Sequence, residues 1–167
     1  MILKIKDKKY NHIIKDIIRN PQVKEMANIE HHGISRLEHS LKVSYYAYRI
    51  AKKLHFDYTS VARGGLLHDF YLEGDERSKL RKFTDTFIHP NKALTTTKSI
   101  FNINKKEENI IISHMFPIFL SIPKSKESIL VNLTDKVIGT KELFQEYKTK
   151  TKYYLNYSYF VLLLLLK

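Results

Sequence analysis

The chain contains no cysteine among its 167 residues. This absence excludes disulfide bonds, thiolate zinc sites, iron–sulfur clusters and cysteine nucleophiles. Any bound metal ion must therefore use nitrogen and oxygen ligands, for which histidine, aspartate and glutamate side chains are the strong candidates.

Glycine and proline are also scarce, with five and four residues. No internal repeat, low-complexity linker or Gly/Pro-rich boundary divides the chain, so we expect one domain over residues 1–167. Strand-like alternation is nowhere sustained, whereas apolar residues recur at helical spacing. The sequence therefore predicts an all-α fold.

Acidic residues are outnumbered, since 29 lysines and arginines oppose 17 aspartates and glutamates and give a net charge of +12. Such a balance is typical of nucleic-acid-binding domains. The lysines, however, are spread over almost every segment. This distribution favours a solvated basic face, and a dedicated nucleic-acid surface is the less favoured alternative.

Long hydrophobic runs are missing at both ends. The N-terminal "MILKIKDKKYNHIIKD" lacks the apolar region and cleavage site of a secretory signal, so we expect a cytoplasmic protein. Residues 153–166 form an uncharged run that is shorter than the roughly 20 apolar residues of a membrane-spanning helix. We expect a helix docked on the core there. The alternatives are a tail that touches a membrane and a C-terminal sequence that is truncated or altered in frame.

Helical periodicity is clearest between residues 36 and 54, where His39, Val43, Tyr46, Ile50 and Leu54 share one face. This pattern predicts a long helix whose inner face contains His39 and the four apolar residues.

The following segment begins with Asp57 or Thr59 as a plausible N-cap and carries His68 on its apolar face, with Asp69 beside it. It contains the pair Gly64–Gly65, and each glycine is unfavourable in a helix by about 1 kcal/mol relative to alanine. The pair therefore indicates that another helix crosses closely, which would bring His39 and His68 together.

Three later segments also carry polar groups at apolar positions. Pro90 is expected as a first helical residue with His89 at the cap. Asn104 and Glu107 form a predicted capping box for a helix that leads to His114. A last helix opening at Ser125 has Val131, Asp135 and Ile138 on one face.

Six polar groups thus point inwards: His39, His68, Asp69, His89, His114 and Asp135. Any one of them alone is more typical of a hydrogen-bonded core residue. Burying all six without strong partners would cost several kcal/mol, whereas one or two multivalent cations would stabilise them together. The set therefore indicates shared metal ligation.

The order of these residues resembles the HD-domain metal-dependent phosphohydrolase superfamily over residues 33–144. The motifs are "EHS" with His39, "GLLHDF" with His68 and Asp69, "HPNKAL" with His89, "SHMFP" with His114 and "NLTDK" with Asp135. The chain is similar in particular to small bacterial HD-domain proteins. The resemblance implies an HD-domain helical bundle, followed here by the apolar tail at 153–166.

The resemblance also implies the ligands and the reaction. His39, His68, Asp69 and Asp135 would hold one divalent transition metal, and His89 and His114 would hold a second one bridged by Asp69. We expect iron or manganese, with zinc, cobalt and nickel also compatible. The implied reaction is hydrolysis of a nucleotide or other small phosphoester by a metal-activated water.

Other roles are suggested by position. Asp69 and Glu73 are candidate catalytic residues, Glu73 to orient water or donate a proton, and Lys136 is a candidate phosphate contact. Five further residues are candidate substrate contacts, because they lie near the expected mouth of the site or are basic and could bind phosphate: His31, His32, Arg77, Arg81 and Lys82. An exposed histidine pair and a solvated charged loop are the alternatives.

Two features of known subfamilies are missing. The acidic residue Glu73 lies one position later than in the HDxxED pattern of alarmone hydrolases, and the GYP portion of HD-GYP phosphodiesterases is absent. The same ligands occur in di-iron oxygenases of the HD fold. A nucleotide- or RNA-binding regulatory module is a further alternative.

Overall fold

The computed structural model describes residues 5–31, 33–72 and 79–165, with side chains for residues 5–31, 33–72 and 88–154. These residues form eight α-helices and a two-stranded antiparallel sheet, which confirms the all-α prediction. The helices are α1 (Lys8–Ile13), α2 (Lys15–Arg19), α3 (Pro21–Glu25), α4 (Arg36–Lys53), α5 (Tyr58–Leu67), α6 (Lys79–Ile100), α7 (Lys105–Ser113) and α8 (Lys126–Leu165), and the strands are β1 (Glu30–His31) and β2 (Ile34–Ser35).

Helices α4 and α5 cross closely, as the glycine pair predicts. A Cβ atom added to Gly65 would lie 3.0 Å from the Cα atom of Ser44 in α4, and one added to Gly64 would lie 2.9 Å from Cγ2 of Ile110 in α7. The glycines therefore let the backbones of α4 and α5 approach, and this approach places His39 near His68.

The predicted inner face of α4 is correct at His39 and Val43 but wrong beyond them. Tyr46, Ile50 and Leu54 are 46%, 41% and 53% exposed. The buried side continues instead through small residues, namely Ser40, Ser44, Ala47 and Ala51. Because α5 packs against α4 at backbone distance, this side of α4 has room only for small side chains. The large buried residues Leu41 and Tyr48 lie on another side of α4, in the larger apolar cluster.

The expected helix starts are largely confirmed. Asp57, rather than Thr59, caps α5 and accepts a hydrogen bond from the backbone N–H of Ser60. Asn104 and Glu107 form the capping box of α7. Ser125 accepts the backbone N–H of Ser128 at 3.1 Å just before α8 begins.

The prediction for the helix around Pro90 is wrong. Helix α6 begins at Lys79, so Pro90 lies inside it and His89 is an interior residue instead of a cap. A proline inside a helix removes the hydrogen bond of its own nitrogen and its ring crowds the carbonyl of residue i−4. The helix nevertheless continues on both sides of Pro90. His89 consequently has a buried position, with 8% exposure, on the body of a long helix.

Two apolar clusters flank the polar centre of the fold. The larger one includes Tyr10, Tyr48, Leu66 and Phe70. The smaller one unites α4, α5, α7 and α8 through Val43, Val61, Ile110 and Val131. Four of the five helices that carry or lead into the inward histidines and aspartates are therefore fixed by packing next to those residues.

Helix α8 has 40 residues and includes most of the uncharged C-terminal run. The expectation of a docked core helix is wrong at Tyr153 and Tyr154, which are 67% and 65% exposed. Among the described residues, no helix has the length and apolar character needed to cross a membrane.

Candidate metal centre

A first group of ligand atoms is formed by α4, the end of α5 and α8. The Nε2 atom of His39 lies 3.0 Å from Oδ1 of Asp135, and Nε2 of His68 lies 3.5 Å from the same oxygen. His68 is the C-cap residue of α5, and Asp69 follows it directly. Three residues far apart in sequence thus point their ligand atoms at one place.

A second group lies on the other side of Asp69. The Nε2 atoms of His89 and His114 are 2.8 Å apart, and each lies 3.4 Å from Oδ1 of Asp69. The other carboxylate oxygen of Asp69, Oδ2, lies 3.6 Å from Nε2 of His68 in the first group. Asp69 is therefore the residue that the two groups share.

The spacing of these atoms suits metal ligation. Metal–nitrogen and metal–oxygen bonds of about 2.0–2.2 Å place neighbouring ligand atoms roughly 3.0–3.5 Å apart. The trio of Asp69, His89 and His114 and the trio of His39, His68 and Asp135 both bring their ligand atoms within 4.8 Å of one another. Both groups can hold a metal ion.

Hydrogen bonds outside the centre orient two of the rings. The Nδ1 atom of His68 lies 2.8 Å from the carbonyl oxygen of Gly65, and Nδ1 of His114 lies 2.7 Å from that of Ile111. Because a carbonyl oxygen only accepts, both Nδ1 atoms donate their protons. Each Nε2 in the neutral ring therefore presents a lone pair to the centre.

Two atoms of the centre have no hydrogen-bond partner although they are buried: Nε2 of His68 and Oδ1 of Asp69. Leaving such atoms unpaired costs about 1–3 kcal/mol each. Both atoms point into the ligand groups, where a cation would satisfy them. The donor set therefore fits a divalent metal on chemical grounds.

The electrostatics of the centre are dominated by opposed histidines and carboxylates. Burial disfavours the charged form of His39, but hydrogen bonds with Asp135 and Glu142 outweigh it and raise its pKa to about 10. Burial likewise opposes ionisation of Asp69 and Asp135, yet the surrounding imidazoles lower both pKa values well below the usual range. The two carboxylates are thus held ionised, as metal ligands must be.

Sequence reasoning missed Glu142. Its Oε2 lies 2.7 Å from Nδ1 of His39, and its Oε1 accepts a hydrogen bond from Lys42 at 3.1 Å. The carboxylate thus fixes the ring of His39 with Nε2 directed at Asp135, in the manner of a carboxylate–histidine–metal relay. The signal was available, since Glu142 follows Asp135 by seven residues, or two helical turns.

His31 also belongs to the surroundings of the centre. Its ring centroid lies 4.5 Å from that of His39. A ring nitrogen of His31 also lies within 4.8 Å of ligand atoms of His39 and Asp69. The short sheet formed by β1 and β2 holds this residue over the centre. Its neighbour His32, the predicted substrate contact, lies outside the described residues.

The remaining candidates are placed unevenly. Lys136 lies beside the centre, where its Nζ donates to the carbonyl oxygen of His114 at 3.1 Å, and burial lowers its pKa. Glu73 and Arg77 lie outside the described residues. Arg81 and Lys82 belong to α6, but their side chains are outside the described part of the chain.

A buried arginine stabilises the segment that follows the shared aspartate. Arg36, at the start of α4, donates from Nη1 to the carbonyl oxygen of Tyr71 at 2.6 Å and stacks on the ring of Tyr71 at 3.8 Å. The chain just after Asp69 is thereby attached to the helix that carries His39.

Comparison with protein families agrees with this geometry. The family model for the HD domain matches residues 36–139, which is more than half of the chain. The chain belongs to the HD domain family. HD domains bind divalent metals, and the superfamily includes metal-dependent phosphohydrolases. The matched segment of this HD domain contains all six inward polar groups, from His39 to Asp135. Searches of curated proteins and of solved structures returned no match.

Proposed function

We propose that this HD domain is a metal-dependent phosphohydrolase that acts on a nucleotide or another small phosphoester. His39, His68, Asp69 and Asp135 hold one metal ion, and Asp69, His89 and His114 hold a second one. Iron or manganese is the expected metal, and zinc, cobalt and nickel suit the same nitrogen and oxygen ligands.

The two-sided position of Asp69 carries the proposal. One of its oxygens faces His89 and His114 at 3.4 Å each, and the other faces His68 at 3.6 Å. A carboxylate with ligand groups on both sides is suited to bridge two cations. A pair of cations at such a site supplies a hydroxide near neutral pH and neutralises charge on a phosphoryl group.

The chain's own residues supply orientation and charge. Glu142 and the backbone carbonyls of Gly65 and Ile111 hold three imidazoles in place before substrate arrives. Lys136, held beside His114, adds a cation next to the ligand groups and is proposed to contact phosphate oxygens. Glu73 is proposed to orient water or to protonate the leaving group.

The expected cellular setting follows from the substrate. Nucleotides and small phosphoesters are cytoplasmic compounds, so the proposal includes a cytoplasmic site of action. A purely regulatory nucleotide- or RNA-binding role would require binding without turnover.

The proposal is tested by a hydrolysis screen with the full chain loaded with manganese or iron. The substrates are nucleoside mono-, di- and triphosphates, dinucleoside polyphosphates and phosphodiesters, and the product is inorganic phosphate or a nucleotide. We expect turnover of at least one class by the wild type. Asp69→Asn should lower it by at least a thousandfold, because a neutral amide cannot bridge two cations.

Asp16→Asn is the matched control, because Asp16 is 54% exposed and pairs with Arg63 away from the centre. It should retain wild-type turnover. Equal activity of wild type and Asp69→Asn would contradict the proposal, as would binding of nucleotides without turnover. Each reaction is run with and without oxygen, because product formation that requires dioxygen would indicate the oxygenase alternative.

A further inference from the structure

The C-terminal part of α8 has an ordered chemical gradient along its axis. Three lysines come first, at positions 148, 150 and 152. Four tyrosines follow, at 153, 154, 157 and 159, and residues 160–165 are then all apolar. The same order of cation, amphipathic aromatic residue and hydrocarbon describes a path from the headgroup layer into one leaflet of a bilayer.

The charges of this helix are unevenly distributed along its length. The carboxylates of α8 are those of Glu127, Asp135, Glu142 and Glu146. Glu127 and Glu142 are buried, and Asp135 and Glu146 are half-buried. Glu142 is bound to His39 and Lys42, and Glu146 pairs with Lys150 at 2.6 Å. After Glu146 the sequence has no carboxylate side chain but has lysines at positions 148, 150 and 152, of which Lys150 pairs with Glu146. This excess of cations suits an anionic partner.

The outward side of α8 also carries exposed apolar residues along one face, with Thr140 among them. Leu133, Val137, Phe144 and Tyr147 are 56%, 68%, 68% and 70% exposed. Their spacings of four, seven and three residues keep them on one face of the helix. An exposed apolar face of this length indicates a binding surface.

The distribution of apolar residues at 160–165 distinguishes a bilayer from a single helix as the partner. Successive residues of a helix are rotated by about 100°, so six consecutive apolar residues cover every side. A partner helix, including a second copy of α8, covers one side and leaves the others in water.

We propose that the C-terminal part of α8, residues 148–165, docks on the surface of an anionic phospholipid bilayer. The lysines contact lipid phosphates, the tyrosines lie at the interface and residues 160–165 enter one leaflet. Six residues span about 9 Å of helix. This length is similar to the roughly 5–10 Å depth to which interfacial helices are buried.

The test is co-sedimentation of the full-length, metal-loaded protein with vesicles. Phosphatidylcholine vesicles are compared with vesicles that contain about 30 mol% phosphatidylglycerol. We expect at least tenfold tighter binding to the anionic vesicles, and weaker binding at 0.5 M NaCl because salt screens the lysines. Failure to sediment with anionic vesicles would overturn the proposal.

Two sets of variants identify the surface. Lys148→Glu, Lys150→Glu and Lys152→Glu together should reduce binding at least tenfold. A control with the same change of net charge reverses three exposed lysines elsewhere, at positions 8, 24 and 53, and should reduce it less than threefold. Equal losses in both sets would show attraction by net charge alone and overturn the assignment to α8. The metal content and helical circular dichroism of each variant confirm folding.

Insertion is measured separately with a fluorescent reporter. The chain has no tryptophan, so Phe160→Trp gives a single signal. We expect a blue shift of its emission and quenching by brominated lipid on anionic vesicles. Leu162→Asp with Leu164→Asp should abolish sedimentation. A concentration-dependent dimer that these two changes dissociate, without any vesicle binding, would identify a second copy as the partner and overturn the proposal.

Discussion

At the scale of single residues, the centre is organised by contacts to the outer nitrogens of its imidazoles. His39 contacts a carboxylate, whereas His68 and His114 donate to backbone carbonyls within their own helical turns. Each contact leaves the inner nitrogen directed at the carboxylates of Asp69 or Asp135. The rings are thus oriented by protein groups, and a metal ion at the proposed centre would meet a preformed set of ligands.

The contact between Glu142 and His39 predicts an effect on metal affinity. Glu142→Gln removes the anionic partner of Nδ1 at 2.7 Å and should weaken metal binding about 10- to 100-fold. The measurement is competition with a chromophoric zinc chelator. Glu146→Gln, one turn later in α8 and in contact with Lys150, is the control and should bind as the wild type does. Equal affinities for the two variants would rule out an orienting role for Glu142.

The raised pKa of His39 predicts that metal binding depends on pH. In the metal-free protein this pKa is about 10, above the usual value of 6.5, so the ring is protonated at neutral pH. A metal ion must displace that proton, and its affinity should therefore rise with pH, by about tenfold per pH unit for each proton released. Calorimetric zinc titration between pH 6 and 8, in buffers of different ionisation enthalpy, counts the protons. A pH-independent affinity with no proton release would contradict this prediction.

At the scale of secondary-structure elements, the crossing of α4 and α5 controls the distance between His39 and His68. Gly65→Ala would place a Cβ atom 3.0 Å from the Cα atom of Ser44, where backbone must move. We expect a loss of about 1–3 kcal/mol in the free energy of unfolding. The separation of the helices should also weaken metal binding. Both effects are measured on one preparation by urea unfolding and metal titration.

Gly139→Ala is the control for this crossing. It lies inside α8, and a Cβ atom there would meet nothing within 4 Å. This substitution should stabilise the protein by about 0.5–1 kcal/mol through helix propensity. If Gly65→Ala were as stable as Gly139→Ala, the close approach of α4 and α5 would not be required.

The same elements show why sequence periodicity is incomplete. Periodicity ranks Tyr46 and Ile50 as inner residues because they are large and apolar, yet they are exposed. It cannot see that Gly65 in another helix demands small residues such as Ala47 on the inner side. Pro90 is a parallel case, since local rules predict a helix start while the chain continues as a helix on both sides. Packing between distant elements decides both positions.

At the scale of the whole molecule, metal removal should lower stability. The centre joins α4, α5, α6, α7 and α8, and it contains buried atoms without partners at His68 and Asp69. Free metal at 100 times its dissociation constant stabilises the fold by about 2.7 kcal/mol. A chelator should therefore lower the melting temperature by roughly 5–10 °C. Asp69→Asn should show little response to the chelator, and an equal response in both proteins would contradict a metal at this centre.

The sequence predicts the composition of the centre better than its surroundings. The six inward groups are recognised because each is a polar residue at an apolar helical position in an order similar to that of HD domains. Glu142 is not recognised: its spacing from Asp135 places both residues on one face of α8, but its partner His39 lies 103 residues away in the sequence. Tertiary contacts of this kind require coordinates.

The most direct test of the metal centre is an anomalous difference map from crystals grown with manganese or iron. We predict two peaks on either side of the Asp69 carboxylate. One peak lies within ligand distance of His39, His68 and Asp135, and the other within ligand distance of His89 and His114. A map with no peak beside Asp69, or with metal bound only elsewhere, would contradict the proposed centre.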